Sequence, residues 1–202
     1  MQTYFDTAAA VWDENPVHRD RNRAIAGAIL DSVKPKRTDT ALEYGAGTGL
    51  LARELASRLG SIVLADSSAG MVEEARKKIA ASGLRNLSAV KLDLETDALP
   101  AERFSLLYTS MTLHHVRDVD GILPKFAALL KPGGWVAIAD LVLEDGSFHD
   151  PDADVHYGFD PAVLSENLKR LDLTEASFRT VYSVVRNEKA YPMFLLTARK
   201  PG

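Results

Sequence analysis

Residues 43–49 read Glu43-Tyr44-Gly45-Ala46-Gly47-Thr48-Gly49. Glycines on alternate positions let the backbone come close to a ligand, because no Cβ stands in the way. The stretch follows a short strand, Thr40 to Tyr44, and leads into a helix in which Leu51, Leu55 and Leu59 are spaced four apart. Strand, glycine loop and helix form one α/β unit. The same letters carry a second reading. Gly47-Thr48-Gly49-Leu50-Leu51-Ala52 fits the dinucleotide fingerprint G-x-G-x-x-A, with Asp66 lying 19 residues beyond Gly47. The loop alone does not choose between these ligands.

Outward from this unit the chain alternates. Ile62 to Ala65 forms a second strand ending at Asp66, followed by a helix carrying Met71, Val72, Ala75 and Ile79 that closes at Gly83. Leu87 to Leu92 is a third strand ending at Asp93, and Phe104 to Tyr108 a fourth. A helix over about 120–130 places Ile122, Phe126, Leu129 and Leu130 on one stripe, with Pro124 tolerated as part of its first turn. Lys131-Pro132-Gly133-Gly134 breaks the chain, and Trp135 to Leu143 reads as a strand buried on both faces. A helix near 161–171 precedes two β-rich runs, 178–185 and 191–199, whose short join favours an antiparallel hairpin. On the N-terminal side, helices over 6–13 and 18–33 form a cap, with Arg19, Arg21 and Arg23 on a solvated face. The pattern predicts a doubly wound, mostly parallel sheet with ligands at the carboxyl ends of its strands. It is read as one domain over 1–202, with a helical cap at 1–36 and a core at 37–202.

Composition removes several function classes. The 202 residues hold 24 Lys and Arg against 28 Asp and Glu, a formal net charge of −4, so no broad cationic field is available to a nucleic-acid backbone. Without cysteine, disulfides, thiolate metal sites and thiol nucleophiles are excluded. The start Met1-Gln2-Thr3-Tyr4-Phe5-Asp6 lacks the basic and apolar regions of a secretory signal, and no run of about 18 apolar residues occurs. The expectation is a cytoplasmic protein, monomeric or homodimeric, with a small-molecule partner and neither nucleic acid nor membrane.

Carboxylates bear on the choice of ligand. Glu43 and Asp93 stand near the path a nicotinamide cofactor's pyrophosphate would take, which they oppose, whereas a ligand with an ammonium and a sulfonium accepts them. Asp66 offers two acceptor oxygens to a ribose diol, and Asp93 an acceptor to an adenine amino group, with Leu94 and Met71 as apolar walls. With these residues in place the chain resembles the class I S-adenosylmethionine-dependent methyltransferases that act on small molecules. Glu43 to Gly49 resembles that family's first motif, Asp66 with Ser67 and Met71 its second-strand acidic motif, and Asp93-Leu94 its adenine contact. Ser110-Met111-Thr112-Leu113-His114-His115 resembles the segment after its fourth strand, and Leu130 to Gly134 the turn before its fifth.

The resemblance implies a Rossmann-like sheet of seven strands, mostly parallel, with an antiparallel C-terminal strand. It implies S-adenosyl-L-methionine as cofactor, S-adenosyl-L-homocysteine as product and in-line methyl transfer. The cofactor residues it implies are Glu43, Gly45, Ala46, Gly47, Thr48, Gly49, Asp66, Ser67, Met71, Asp93, Leu94 and Ser110. A nicotinamide-dependent oxidoreductase and a non-catalytic S-adenosylmethionine-binding regulator stand as alternatives.

The acceptor side is less legible. His114-His115 offers a proton acceptor near neutral pH, although in the resembling family such a pair mostly shapes the cofactor pocket and caps the next helix. The catalytic residue is left unassigned, with His114, His115 and Tyr4 as candidates. No metal is expected, since no third ligand stands at a defined spacing. Asp150, Asp152 and Asp154 mimic a calcium loop, but Val155 replaces its glycine and Pro161 its bidentate glutamate. The loop from Gly146 to Asp160 reads either as a substrate lid using His149, His156, Tyr157 and Phe159 or as a solvated acidic loop with Phe159 packed inward. Tyr4, Phe5 and Trp12 line the pocket or pack in the core. Candidate acceptor contacts are Trp12, His115, His149, His156 and Tyr157.

Overall fold

The computed structural model describes residues 2–150 and 152–202, with side chains described from residue 4 onward. Helix α1 (Gln2–Ala8) and a 3-10 segment (Ala9–Glu14) lead into α2 (Pro16–Val33). Then follow β1 (Thr40–Tyr44), α3 (Leu50–Leu55), β2 (Ser61–Asp66), α4 (Ala69–Ser82), β3 (Leu87–Lys91) and β4 (Phe104–Ser110). After a 3-10 turn (Leu113–His115) come α5 (Val119–Leu129), β5 (Leu130–Leu141), α6 (Pro161–Arg170), β6 (Thr174–Arg186) and β7 (Lys189–Arg199).

Helix starts follow capping chemistry. Asn15 accepts from the Val17 N–H at 3.0 Å ahead of Pro16, and Ser68 accepts from the Met71 N–H at 3.1 Å ahead of α4. Gly83 ends α4 in the left-handed region, at φ 71°.

The seven strands form one sheet in the order β3-β2-β1-β4-β5-β7-β6. The first five run parallel, while β7 is antiparallel to both β5 and β6. The chain winds outward from β1 to β3 and then crosses back to β4, so the strand order reverses between β1 and β4. That reversal opens a crevice at their carboxyl ends, which is where ligands bind in such sheets. Glu43 pairs in register with Tyr108 and Tyr44 with Thr109, which brings the glycine loop beside the segment after β4.

Helices cover both faces. One core joins Ile25, Ile29, Leu51, Leu55 and Val72 to the sheet, and the other joins Phe104, Phe126, Leu129, Leu164 and Leu168. Among the described residues no helix is long and apolar enough to cross a membrane.

Local departures from expectation have physical causes. The terminal hairpin is present, but its turn shrinks to Asn187-Glu188, both at positive φ (51° and 62°), and the strands lengthen accordingly. Two such residues match the twist of a hairpin. Lys131 to Gly134 does not break the chain: β5 runs through it as an irregularity opposite Phe104 to Leu106. Pro124 lies inside α5 rather than in its first turn. It is tolerated because it and Asp120, whose carbonyl loses a helical partner, are both exposed to water.

Two glycines should respond oppositely to alanine. Gly27 lies in α2 with nothing near the position of an added Cβ, so Gly27→Ala raises unfolding stability by about 0.5–1 kcal/mol. Gly45 has φ +70°, and its added Cβ would overlap the Thr112 side chain, so Gly45→Ala lowers stability by about 1 kcal/mol or more. Denaturant melts of both variants check the pair.

Candidate functional site

The glycine loop is fastened by its own amides. The N–H groups of Gly45 and Ala46 both donate to the Ala65 carbonyl, at 2.8 and 3.1 Å, and that of Gly49 donates to Ala46 at 3.0 Å. The Gly47 N–H donates to one oxygen of Asp66 at 2.7 Å, while the Ser68 N–H donates to the other at 2.9 Å. Asp66 is thus held by two backbone donors at the carboxyl end of β2, with lone pairs still facing the loop. Burial pushes its carboxyl above the ordinary range, against the pull of those two hydrogen bonds.

Glu43, on β1, is buried at 3% exposure and accepts from the Tyr108 hydroxyl at 3.2 Å. Burial pushes its carboxyl up to about 8, overriding the hydrogen bonds from Tyr108 and the Ala52 backbone. A cationic ligand beside it would favour the ionised form.

The N-terminal segment closes over this floor. Asp6 accepts from Ser68 Oγ at 2.5 Å and the Gly70 N–H at 2.9 Å. Asp13 accepts from the Thr48 hydroxyl and pairs with Arg53 at 2.7 Å and Lys78 at 2.9 Å. Between these anchors Phe5 meets the edges of Trp12 and His115, with ring centroids 5.8 and 5.3 Å away.

Two cavities adjoin beneath the cap. The smaller, of about 130 Å³, is bordered by the loop together with Asp66, Ser67, Met71, Ser110 and Thr112. The larger, of about 610 Å³, is bordered by His18, His114, Phe148, His149 and Arg186 among others. Phe5, Trp12, Arg21, Met111 and His115 border both. Met111 holds φ 53°, a strained geometry for a side chain of its size, at this junction.

On the larger cavity's wall, His114 Nδ1 lies 2.7 Å from an Asp140 oxygen, and both side chains are almost fully buried. Burial opposes ionisation of Asp140, yet His114 and the backbone N–H groups of Leu141 and His114 hold its carboxyl below the ordinary range. The carboxylate therefore accepts from Nδ1–H, which leaves Nε2 as the acceptor nitrogen of the ring. His115 and His149 are pushed down to about 3 and 4, chiefly by burial, so they are neutral near pH 7. Their rings approach His114 at 4.0 and 4.8 Å between centroids.

Most expected site residues converge here. Glu43, Gly45, Ala46, Gly47, Thr48, Asp66, Ser67, Met71 and Ser110 border the smaller cavity, Trp12 and His115 both, and Tyr4, His114 and His149 the larger. Gly49 caps α3 behind the loop. Asp93 and Leu94 border neither: Asp93 accepts from the Glu95 N–H at 2.9 Å, and Leu94 is fully buried in the core. His156 and Tyr157 are also displaced from the cavities. His156 Nε2 donates to the Val116 carbonyl at 3.0 Å, and Tyr157 lies exposed against Gly146. Phe159 packs inward against the core.

Arg21 corrects the expectation of a solvated face. It is 8% exposed while Arg19 and Arg23 face solvent. Its place in the stripe Arg21, Ile25, Ala28, Ile29 carried the signal, since that spacing keeps it on the buried side. Asp140, inside the apolar run of β5, carried another, because a buried carboxylate requires a partner. Asp6 and Asp13 had no such local signal, their partners being 62–64 and 35–65 residues away in the chain.

A family model described as a methyltransferase domain matches residues 41–134. Aklanonic acid methyltransferase DauC of Streptomyces sp. (strain C5) is 33% identical over 147 residues, 71% of this chain and 66% of that protein. The chain thus spans about two thirds of that relative's length. Among solved structures, the DhpI-SAM-HEP complex matches with a TM-score of 0.74 at 22% identity, covering 98% of this chain and 95% of that one. Haemonchus contortus phosphoethanolamine N-methyltransferase 2 with S-adenosyl-L-methionine matches with a TM-score of 0.71 at 16% identity, covering 88% and 52%.

Glu43 gives a test of the site's electrostatics. Its raised folded-state value means that the folded protein binds more protons than the unfolded chain between about 4.5 and 8, so the carboxyl costs stability as pH rises through that window. Thermal melts of the ligand-free protein should show Glu43→Gln gaining on the parent from pH 5 to pH 8.5. A difference independent of pH contradicts the assignment.

Proposed function

The chain belongs to the class I S-adenosylmethionine-dependent methyltransferases, and from that premise we propose that it methylates a hydroxyl group of a small-molecule acceptor, releasing S-adenosylhomocysteine. The observation that carries the reading is the pair of cavities meeting at Met111 and His115, one floored by the glycine loop and the other walled by the His114–Asp140 pair. At about 610 Å³ the second has the size of a small-molecule pocket. A relative named for aklanonic acid agrees with an acceptor of that scale.

The residues present suit the cofactor. Asp66 offers fixed acceptors for a ribose diol, Glu43 a carboxyl toward a cation, and Ser110 a buried hydroxyl oxygen with no protein partner. The amides of Gly45, Ala46, Gly47 and Gly49 donate within the protein, so the loop has few donors left for the pyrophosphate of a nicotinamide cofactor. The smaller cavity, at about 130 Å³, is tighter than pockets that hold ligands of cofactor size, so entry requires Phe5 and Trp12 to move aside.

When bound, the cofactor supplies a methyl carbon already activated by the adjoining sulfonium. The protein's share is orientation and proton removal. Trp12, Phe5 and His115 border the junction and would shield it from water, and the two walls would orient the acceptor oxygen toward the methyl group. His114 accepts the hydroxyl proton at Nε2, and the buried Asp140 carboxylate stabilises the resulting imidazolium.

Labelled cofactor incubated with a panel of phenols and hydroxy acids should yield S-adenosylhomocysteine in proportion to enzyme. His114→Gln and Asp140→Asn should each lower kcat by about 10²-fold or more while S-adenosylhomocysteine still binds. Undiminished kcat in His114→Gln removes the base from the mechanism. Absence of turnover across the panel contradicts methylation of a hydroxyl.

A further inference from the structure

Arg21 is the one charged side chain at the cavity junction that the reaction above does not use. It rises from α2, is 8% exposed, and borders both cavities. Its Nε is buried without a hydrogen-bond partner, and the charges that favour it, Asp140 and Tyr182, act on the guanidinium without hydrogen-bonding it. A guanidinium stays charged at any physiological pH, and an uncompensated buried charge is costly.

The surrounding charges leave it exposed to one sign of ligand. At the rim, Arg186 is paired with Asp150 at 2.8 Å and Arg117 with Asp154 at 3.8 Å. Asp152 is exposed there. Deeper, Asp140 is engaged by His114, and His115 and His149 are neutral near pH 7. Arg21 therefore keeps an unfilled donor where the two cavities meet, with Asp140 favouring its charge but not hydrogen-bonding it. A carboxylate entering at that junction would satisfy the buried donor.

Resting on the methyltransferase reading, we propose that Arg21 is a specificity-determining residue of the acceptor pocket and that the acceptor bears a carboxylate, which the guanidinium binds at the junction. Guanidinium and carboxylate form charge-assisted hydrogen bonds, often in pairs, that fix orientation as well as position. Such a clamp sets which hydroxyl of the acceptor reaches His114.

The cofactor also carries a carboxylate, and the test separates the two sources. Protein saturated with S-adenosylhomocysteine is titrated calorimetrically with succinate, benzoate and salicylate, and with benzamide as the neutral counterpart of benzoate. At least one carboxylate should bind, benzamide should not, and Arg21→Gln should weaken the bound carboxylate by about tenfold or more. Arg21→Lys should recover part of that loss. S-adenosylhomocysteine affinity should stay within about twofold throughout, since the charge pair lost is the acceptor's. The ligand-free Arg21→Gln protein should melt no lower than its parent, because a desolvated charge without a hydrogen-bonded partner has been removed.

Absence of carboxylate binding to the saturated parent, equal binding of benzamide, or a melting point several degrees lower in Arg21→Gln overturns the proposal. A tenfold loss of S-adenosylhomocysteine affinity in Arg21→Gln assigns the residue to the cofactor's carboxylate and also overturns it. Failure of the folded parent to bind S-adenosylhomocysteine at all would instead refute the methyltransferase reading on which the proposal rests.

Discussion

The site depends on one carboxylate held in two places. Asp66 accepts from Gly47 in the loop after β1 and from Ser68 at the start of α4, so it joins two αβ units across the top of the sheet. Ser68 in turn caps α4 and donates to Asp6 of the N-terminal helix. Loop, α4 and cap are therefore coupled through Asp66, Ser68 and Asp6. Of the three, Asp66 borders the smaller cavity. Removing Asp66 would release the Gly47 and Ser68 amides together, so the loop and the start of α4 would lose their shared anchor.

Charge divides the two cavities. The cofactor side is built of carboxyls: Asp66 is fixed by amides, and Glu43 is held near neutrality by burial. The larger cavity's inner wall carries nitrogen groups, His114 beside Asp140, the neutral His115 and His149 and the buried Arg21, while Asp150, Asp152 and Asp154 also border it. The junction between the two cavities, under Phe5 and Trp12, is where a nucleophile and a methyl donor would meet with little water.

The floor of the site was legible in the sequence because it is local. Three glycines and the carboxylates of β1 and β2 lie between positions 43 and 66, and short-range spacing decides their geometry. The doubly wound, mostly parallel sheet was legible for the same reason, since short αβ connections restrict parallel strands to few arrangements. The cap's anchoring was not, because Asp6 and Asp13 act on partners 35 or more residues away. Asp93 and Leu94 were read at the end of a strand that stops at Lys91, and in the turn that follows they border neither cavity. His156 and Tyr157 lie in an irregular loop, where no period tells which side chains point inward. Arg21 was legible and passed over: charge suggested solvent, while helical spacing placed it among Ile25, Ala28 and Ile29.

That the Asp66-fastened loop takes S-adenosylmethionine rather than a dinucleotide is tested by calorimetric titration of S-adenosylhomocysteine into the parent and into Asp66→Ala, with NADH and NADPH as controls. Expected are micromolar binding to the parent, at least about tenfold weaker binding to the folded variant, and no binding of either nicotinamide. Binding of NADH, or equal affinity of parent and folded variant for S-adenosylhomocysteine, would contradict it.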